Sequence, residues 1–120
     1  GKQTRPNINI KDISRIFQYF MINKNKIKSG FYNSGFENTS ILDIAKLVSE
    51  NTGAKINVSP NNNDPRSYRL DSSKLLKTGF EPKYTVKDAI QELIDMYYKI
   101  KLKVSDANYT VRWMKKKNIK

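Results

Sequence analysis

The sequence predicts a small mixed α/β fold with short strands and about four helices, and three observations carry that prediction. Apolar residues recur at helical spacing in three stretches, and two of these open on a serine or threonine followed three residues later by aspartate. Between them lie short tracts that alternate polar and apolar residues or sit beside turn formers. The composition, 38% apolar over 120 residues with no cysteine and no histidine, allows a single domain with a thin core.

Taken in order, Asn7-Ile8-Asn9-Ile10 alternates with period two and predicts a strand over 7–10. Asp12 then stands as an N-cap before Ile13, Ile16, Phe17 and Phe20, one face of a helix over 12–22. The polar stretch NKNKIKSG ends that helix, and Phe31-Tyr32-Asn33 has strand character before Ser34 and Gly35. Ser40-Ile41-Leu42-Asp43 has the form of a capping box and opens a helix over 40–51, with Gly53 placed to take the left-handed position beyond its end. Lys55-Ile56-Asn57-Val58 alternates again and predicts a third strand, and SPNNNDPR is a loop of turn formers without an apolar residue. Asp71 caps a short helix over 72–78 that Gly79 ends, and Thr85-Val86-Lys87-Asp88 opens a wide apolar stripe over 85–99. From Ser105 onward no period is visible.

The formal charge is +12, and its distribution decides how to read it. Residues 1–28 carry seven Lys/Arg and one Asp, residues 101–120 repeat that balance, and residues 29–100 hold nine of each sign. The middle is neutral and the excess sits at the ends. Lysine supplies 18 of the 23 basic residues, without the arginines and interleaved aromatics of a phosphate-tracking stripe, so no dedicated nucleic-acid surface is expected. Without cysteine and histidine the sequence offers no disulfide, thiol or zinc-finger chemistry and no histidine relay. No apolar run approaches the roughly 20 residues of a bilayer span and no secretory signal is evident, so a cytoplasmic protein without membrane association is expected.

Candidate chemistry is sparse. The glycines stand at 1, 30, 35, 53 and 79 with no paired spacing, which leaves no phosphate-cradling loop and no dinucleotide site in this chain. Tyr97 and Lys101 have the Tyr-x-x-x-Lys spacing, but Tyr97 continues an apolar stripe and Lys101 begins a basic tail, so no catalytic pair is assigned. The acidic residues stand singly, with Asp12, Asp43, Asp71 and Asp88 at helix starts where the macrodipole favours them. Two polar, turn-rich positions remain: Asn33 to Asn38 before a helix, and the 59–69 loop with Asp64, Arg66 and Arg69.

Three segments in order resemble the C-terminal part of the extended short-chain dehydrogenase/reductases, the NAD-dependent nucleotide-sugar epimerases and dehydratases. RPNINIKDISRIF is similar to that family's Arg-x-x-x-x-x-x-Asp element, where a strand leads into a helix. GFYNSGFENTSILDIAKLVSENTG resembles its Tyr-Asn-x-Gly strand end with the capped helix that follows. NDPRSYRLDSSKLLKTGFEPKYTVKDAIQEL resembles its Asp-x-Arg-x-Tyr, Ser-Lys, Gly-Phe-x-Pro and final-helix sequence.

The resemblance implies a substrate-binding region over 1–104 and a basic C-terminal tail over 105–120. It implies a parent enzyme, an isomerase or lyase, whose Rossmann half, NAD site and catalytic Tyr-x-x-x-Lys lie outside this chain; relatives commonly form homodimers. No catalytic residue, metal or cofactor is expected here; NAD belongs to the parent. Arg5 takes the place of the arginine that contacts the substrate pyrophosphate, Asn33 that of the strand-end asparagine near the nucleotide. Asp64 and Arg66 fall in the segment beside the nucleotide diphosphate. Relatives often carry a further arginine where this chain has Pro60 and Asn61, so Arg66 or Arg69 would have to substitute or the substrate would differ. The competing class is a small basic module that binds nucleic acid or an acidic protein through its lysine-rich ends.

Overall fold

The computed structural model describes residues 1–59, 66–100 and 105–118. Its elements in chain order are β1 (Thr4–Asn7), α1 (Ile10–Ile22), β2 (Glu37–Ser40), α2 (Ile41–Thr52), α3 (Ser73–Leu76) and α4 (Val86–Ile100). A 3-10 turn over Asp106–Asn108 and α5 (Thr110–Lys116) follow. The architecture is a mixed α/β domain in which β1 and β2 form a two-stranded antiparallel ribbon, Arg5 opposite Thr39 and Asn7 opposite Glu37.

Helices α1, α2 and α4 form where stripes predict them, while the short helix expected over 72–78 behind Asp71 is confined to Ser73–Leu76 with Ser72 at its N-cap position. Ser40 Oγ accepts the Asp43 N–H and Gly53 ends α2 at φ +72°. Thr85 Oγ1 accepts the Asp88 N–H, while Asp88 accepts from the Thr85 N–H and hydroxyl, a complete capping box at the head of α4. The Val86 N–H donates to Glu37 Oε1, which ties α4 to the ribbon.

The strands differ from their expected places. Residues 7–10 do not continue as a strand, because Asn9 turns the chain into α1: its side chain accepts the Lys11 N–H and its carbonyl accepts from Asp12 and Ile13. Asn9, and not Asp12, is the N-cap. The strand lies one step earlier, over TRPN. Ile41 N–H donates to the Gln3 carbonyl, so by the alternation of an antiparallel ladder Gln3, Arg5 and Asn7 aim their backbone groups at β2 and Pro6 aims outward. Pro6 therefore costs the ribbon no hydrogen bond. The second strand forms over 37–40 in place of 31–33, whose Phe31 carbonyl is taken by Lys74 Nζ at 2.8 Å. Residues 55–58 are exposed and form no strand. The tail also departs from expectation: Ser105 and Asn108 cap the 3-10 turn and α5 packs on it.

The apolar core is as thin as the composition implies. Leu75, Phe80 and Ile90 are the buried apolar side chains among the described residues, with Phe36 stacked on Phe80 at 5.9 Å and Tyr19 set edge-on to it at 5.5 Å. Three buried polar side chains, Asn9, Asp12 and Ser72, complete the interior. Each satisfies backbone groups of a distant segment, so hydrogen bonding pins loops that a small core cannot hold alone.

Candidate functional site

The site forms where the segment 66–71 crosses the ribbon. The outward edge of β1 is open to it: Tyr68 N–H donates to the Thr4 carbonyl at 3.3 Å and Thr4 N–H donates to Ser67 Oγ at 2.9 Å. From β2, the Asn38 amide grips Leu70 on both sides, accepting its N–H at 2.8 Å and donating to its carbonyl at 3.1 Å, as a neighbouring strand would. Ser72 Oγ then accepts the Gly35 N–H and donates to the Gly35 carbonyl. The fit at Gly35 is tight: a Cβ would lie 3.0 Å from side-chain atoms of both Leu70 and Pro6, which would have to shift to admit it.

Arg5 stands at the centre of this crossing. Its Nη1 donates to the Arg66 carbonyl at 2.6 Å and to the Thr4 carbonyl at 2.9 Å, and the guanidinium lies over the Tyr68 ring at 4.7 Å. Arg66 is exposed, and it is its backbone carbonyl that meets the Arg5 guanidinium. Asn33 is exposed as well and donates to the Asp71 carbonyl at 3.1 Å. Arg5 and Asn33 thus hold the two ends of one segment, 66–71. Asp64 lies outside the described residues, as do Pro60, Asn61 and Lys101.

Asp71 accepts from the Ser73 hydroxyl and N–H, and these bonds, the hydroxyl first, hold its carboxyl below the usual carboxylate range. Tyr68 under Arg5 is a neighbour that sequence reasoning left unassigned, although the Asp-x-Arg-x-Tyr spacing already contains it.

Asp12, the far end of the Arg-x-x-x-x-x-x-Asp element, serves the scaffold. It is 0% exposed, pairs with Arg15, and accepts the Lys83 and Tyr84 N–H groups, each at 3.0 Å to Oδ2. It therefore anchors the turn that leads into α4. Among the described residues no three His, Cys, Asp or Glu side chains gather as a metal site would require. No described helix is long and apolar enough to cross a membrane. Family models, characterised proteins and solved structures contain no match to the chain.

Proposed function

We propose that this chain is the substrate-side portion of an NAD-dependent nucleotide-sugar epimerase or dehydratase. It contributes Arg5, Asn33 and Arg66, with Asp64 of the same loop, to binding of the sugar-nucleotide diphosphate, and no catalytic group of its own. The observation that carries this reading is the convergence of the three segments on which the family resemblance rests. Arg5 of the first lies on Arg66 and Tyr68 of the third. The second, through Asn33, Gly35 and Asn38, clasps the third from Leu70 to Ser72. A planar guanidinium fixed on the backbone of a second arginine suits a diphosphate, which takes paired hydrogen bonds from a fork better than from a point charge.

The apolar surface supports the same reading. Ile10 is 70% exposed and Leu93 60%, and together with Ile8, Ala89 and Met96 they line an open groove between the start of α1 and α4. Such a groove is a surface that a neighbouring domain could cover.

The test is to express the entire reading frame that encodes this segment and to follow a panel of nucleotide sugars by NMR. The purified product should bind NAD and change the sugar of at least one of them. A product that neither binds NAD nor alters any nucleotide sugar would refute the proposal.

A further inference from the structure

We infer that α5 is a surface anchor for anionic phospholipid: a short amphipathic helix that lies on a negatively charged bilayer with its apolar side inserted. At about 100° per residue, Trp113, Met114 and Val111 fall on one side of α5, and Arg112, Lys115 and Lys116 on the other. Most of the apolar side faces water: Val111 is 66% exposed and Trp113 39%, Met114 is half-buried, and Tyr109 beside the helix start is also exposed. The surrounding chain is strongly basic, with seven Lys/Arg against one Asp over residues 101–120. One of those lysines, Lys116, bridges Asp106 at 3.0 Å, an exposed pair that leaves the positive field in place.

The occupant follows from how charge and apolar surface are arranged. Single-stranded nucleic acid is gripped by basic and aromatic groups along one stripe; here Arg112 covers the Tyr109 ring at 4.4 Å, while Trp113 groups with Met114 and Val111 and no basic group stacks on it among the described residues, so the indole is better placed for an apolar environment than for a base. A second copy of the chain presents the same basic tail, so a contact through α5 would set like charges against one another. An anionic bilayer satisfies both sides at once. The indole and the valine enter the headgroup boundary, while lysine and arginine stems reach back to lipid phosphates. The short apolar runs of the sequence exclude a span and say nothing against a helix lying in the surface. Two turns of helix bury few groups, so binding is reversible and depends on charge.

The experiment uses the whole chain and vesicles of phosphatidylcholine with or without phosphatidylglycerol. Trp113 is the chain's single tryptophan, so its emission reports this site alone. The expected result is co-sedimentation with the anionic vesicles only, a blue shift of Trp113, and release by salt. Val111→Ser, which keeps the net charge, should weaken partitioning about fivefold and reduce the shift. The triple variant Arg112→Gln, Lys115→Gln, Lys116→Gln should weaken it at least about tenfold. The control triple variant Lys24→Gln, Lys26→Gln, Lys28→Gln removes the same charge elsewhere and should weaken it far less. If circular dichroism shows that the tail variant has lost helix, Val111→Ser decides. The inference is overturned by absence of vesicle binding, by unshifted Trp113 emission, by equal losses in the two triple variants, or by binding that only nucleic acid supports.

Discussion

Asp12 shows how one side chain can hold this molecule together and how its role escapes the sequence. Asn9-Ile10-Lys11-Asp12 has the same spacing as Ser40-Ile41-Leu42-Asp43 and Thr85-Val86-Lys87-Asp88, and in all three the first residue begins a helix. In the latter two the aspartate returns to its own cap. Asp12 instead leaves its helix for the Lys83 and Tyr84 N–H groups, contacts more than 70 residues away that no local pattern encodes. Substituting Asp12 by alanine would strand two backbone donors and the buried side of Arg15, a loss of about 3 kcal/mol. Urea denaturation of Asp12→Ala should show that loss, with Asp12→Asn falling between it and the parent because one amide oxygen still accepts. A change below about 0.5 kcal/mol would mean that the 83–84 turn is held by other contacts.

At the scale of elements, α1, α2 and α4 were legible because each repeats an apolar stripe behind a side-chain cap, whereas α5 has no side-chain cap and no visible period. The strands were not legible either. β1 and β2 are the polar tetrapeptides TRPN and ENTS, partly buried along their length, so no alternation marks them and their pairing is made by backbone groups and by the segment 66–70. Three-dimensional pairing, with an asparagine amide standing in for a strand, leaves no period in the sequence. The caps set the response to pH. The Ser40 hydroxyl lowers the pKa of Asp43, Ser73 that of Asp71 and the Thr85 hydroxyl that of Asp88. A carboxylate lowered on folding stabilises above its unfolded pKa of about 4, and that contribution is lost as pH falls through the folded value. The hydrogen bond to Glu92 raises Lys11, whose contribution is complete below about 10.4 and disappears as pH rises through its folded value. Thermal melts should therefore be flat near neutrality and fall below about pH 4, and the triple variant Asp43→Asn, Asp71→Asn, Asp88→Asn should have a shallower acid limb. An unchanged acid limb would remove the caps from the account.

The whole molecule joins a thin core, pinned by buried polar side chains, to apolar surface left open between α1 and α4. The sequence made the thin core legible through its composition; the contact of Arg5 with the Arg66 carbonyl, 61 residues away, leaves no mark in any local pattern. By itself the chain should show no micromolar affinity for NAD in calorimetric titration, because no glycine-rich turn sets a helix N-terminus against a pyrophosphate. Measurable binding would mean a nucleotide site of another kind. The proposed diphosphate role of Arg5 is the central claim, and it is tested most directly by steady-state kinetics of the proposed parent enzyme, expressed from the entire reading frame, with Arg5→Ala and Arg5→Lys. Losing one or two charge-assisted hydrogen bonds of about 1.5–3 kcal/mol each should raise the Michaelis constant for the nucleotide sugar by roughly tenfold to a hundredfold or more. Lysine should recover only part of this, since a point charge lacks the fork, and NAD affinity should stay unchanged. A Michaelis constant untouched in Arg5→Ala, or NAD affinity that falls with it, would contradict the account and leave Arg5 as the clasp that holds residues 66–68 on β1.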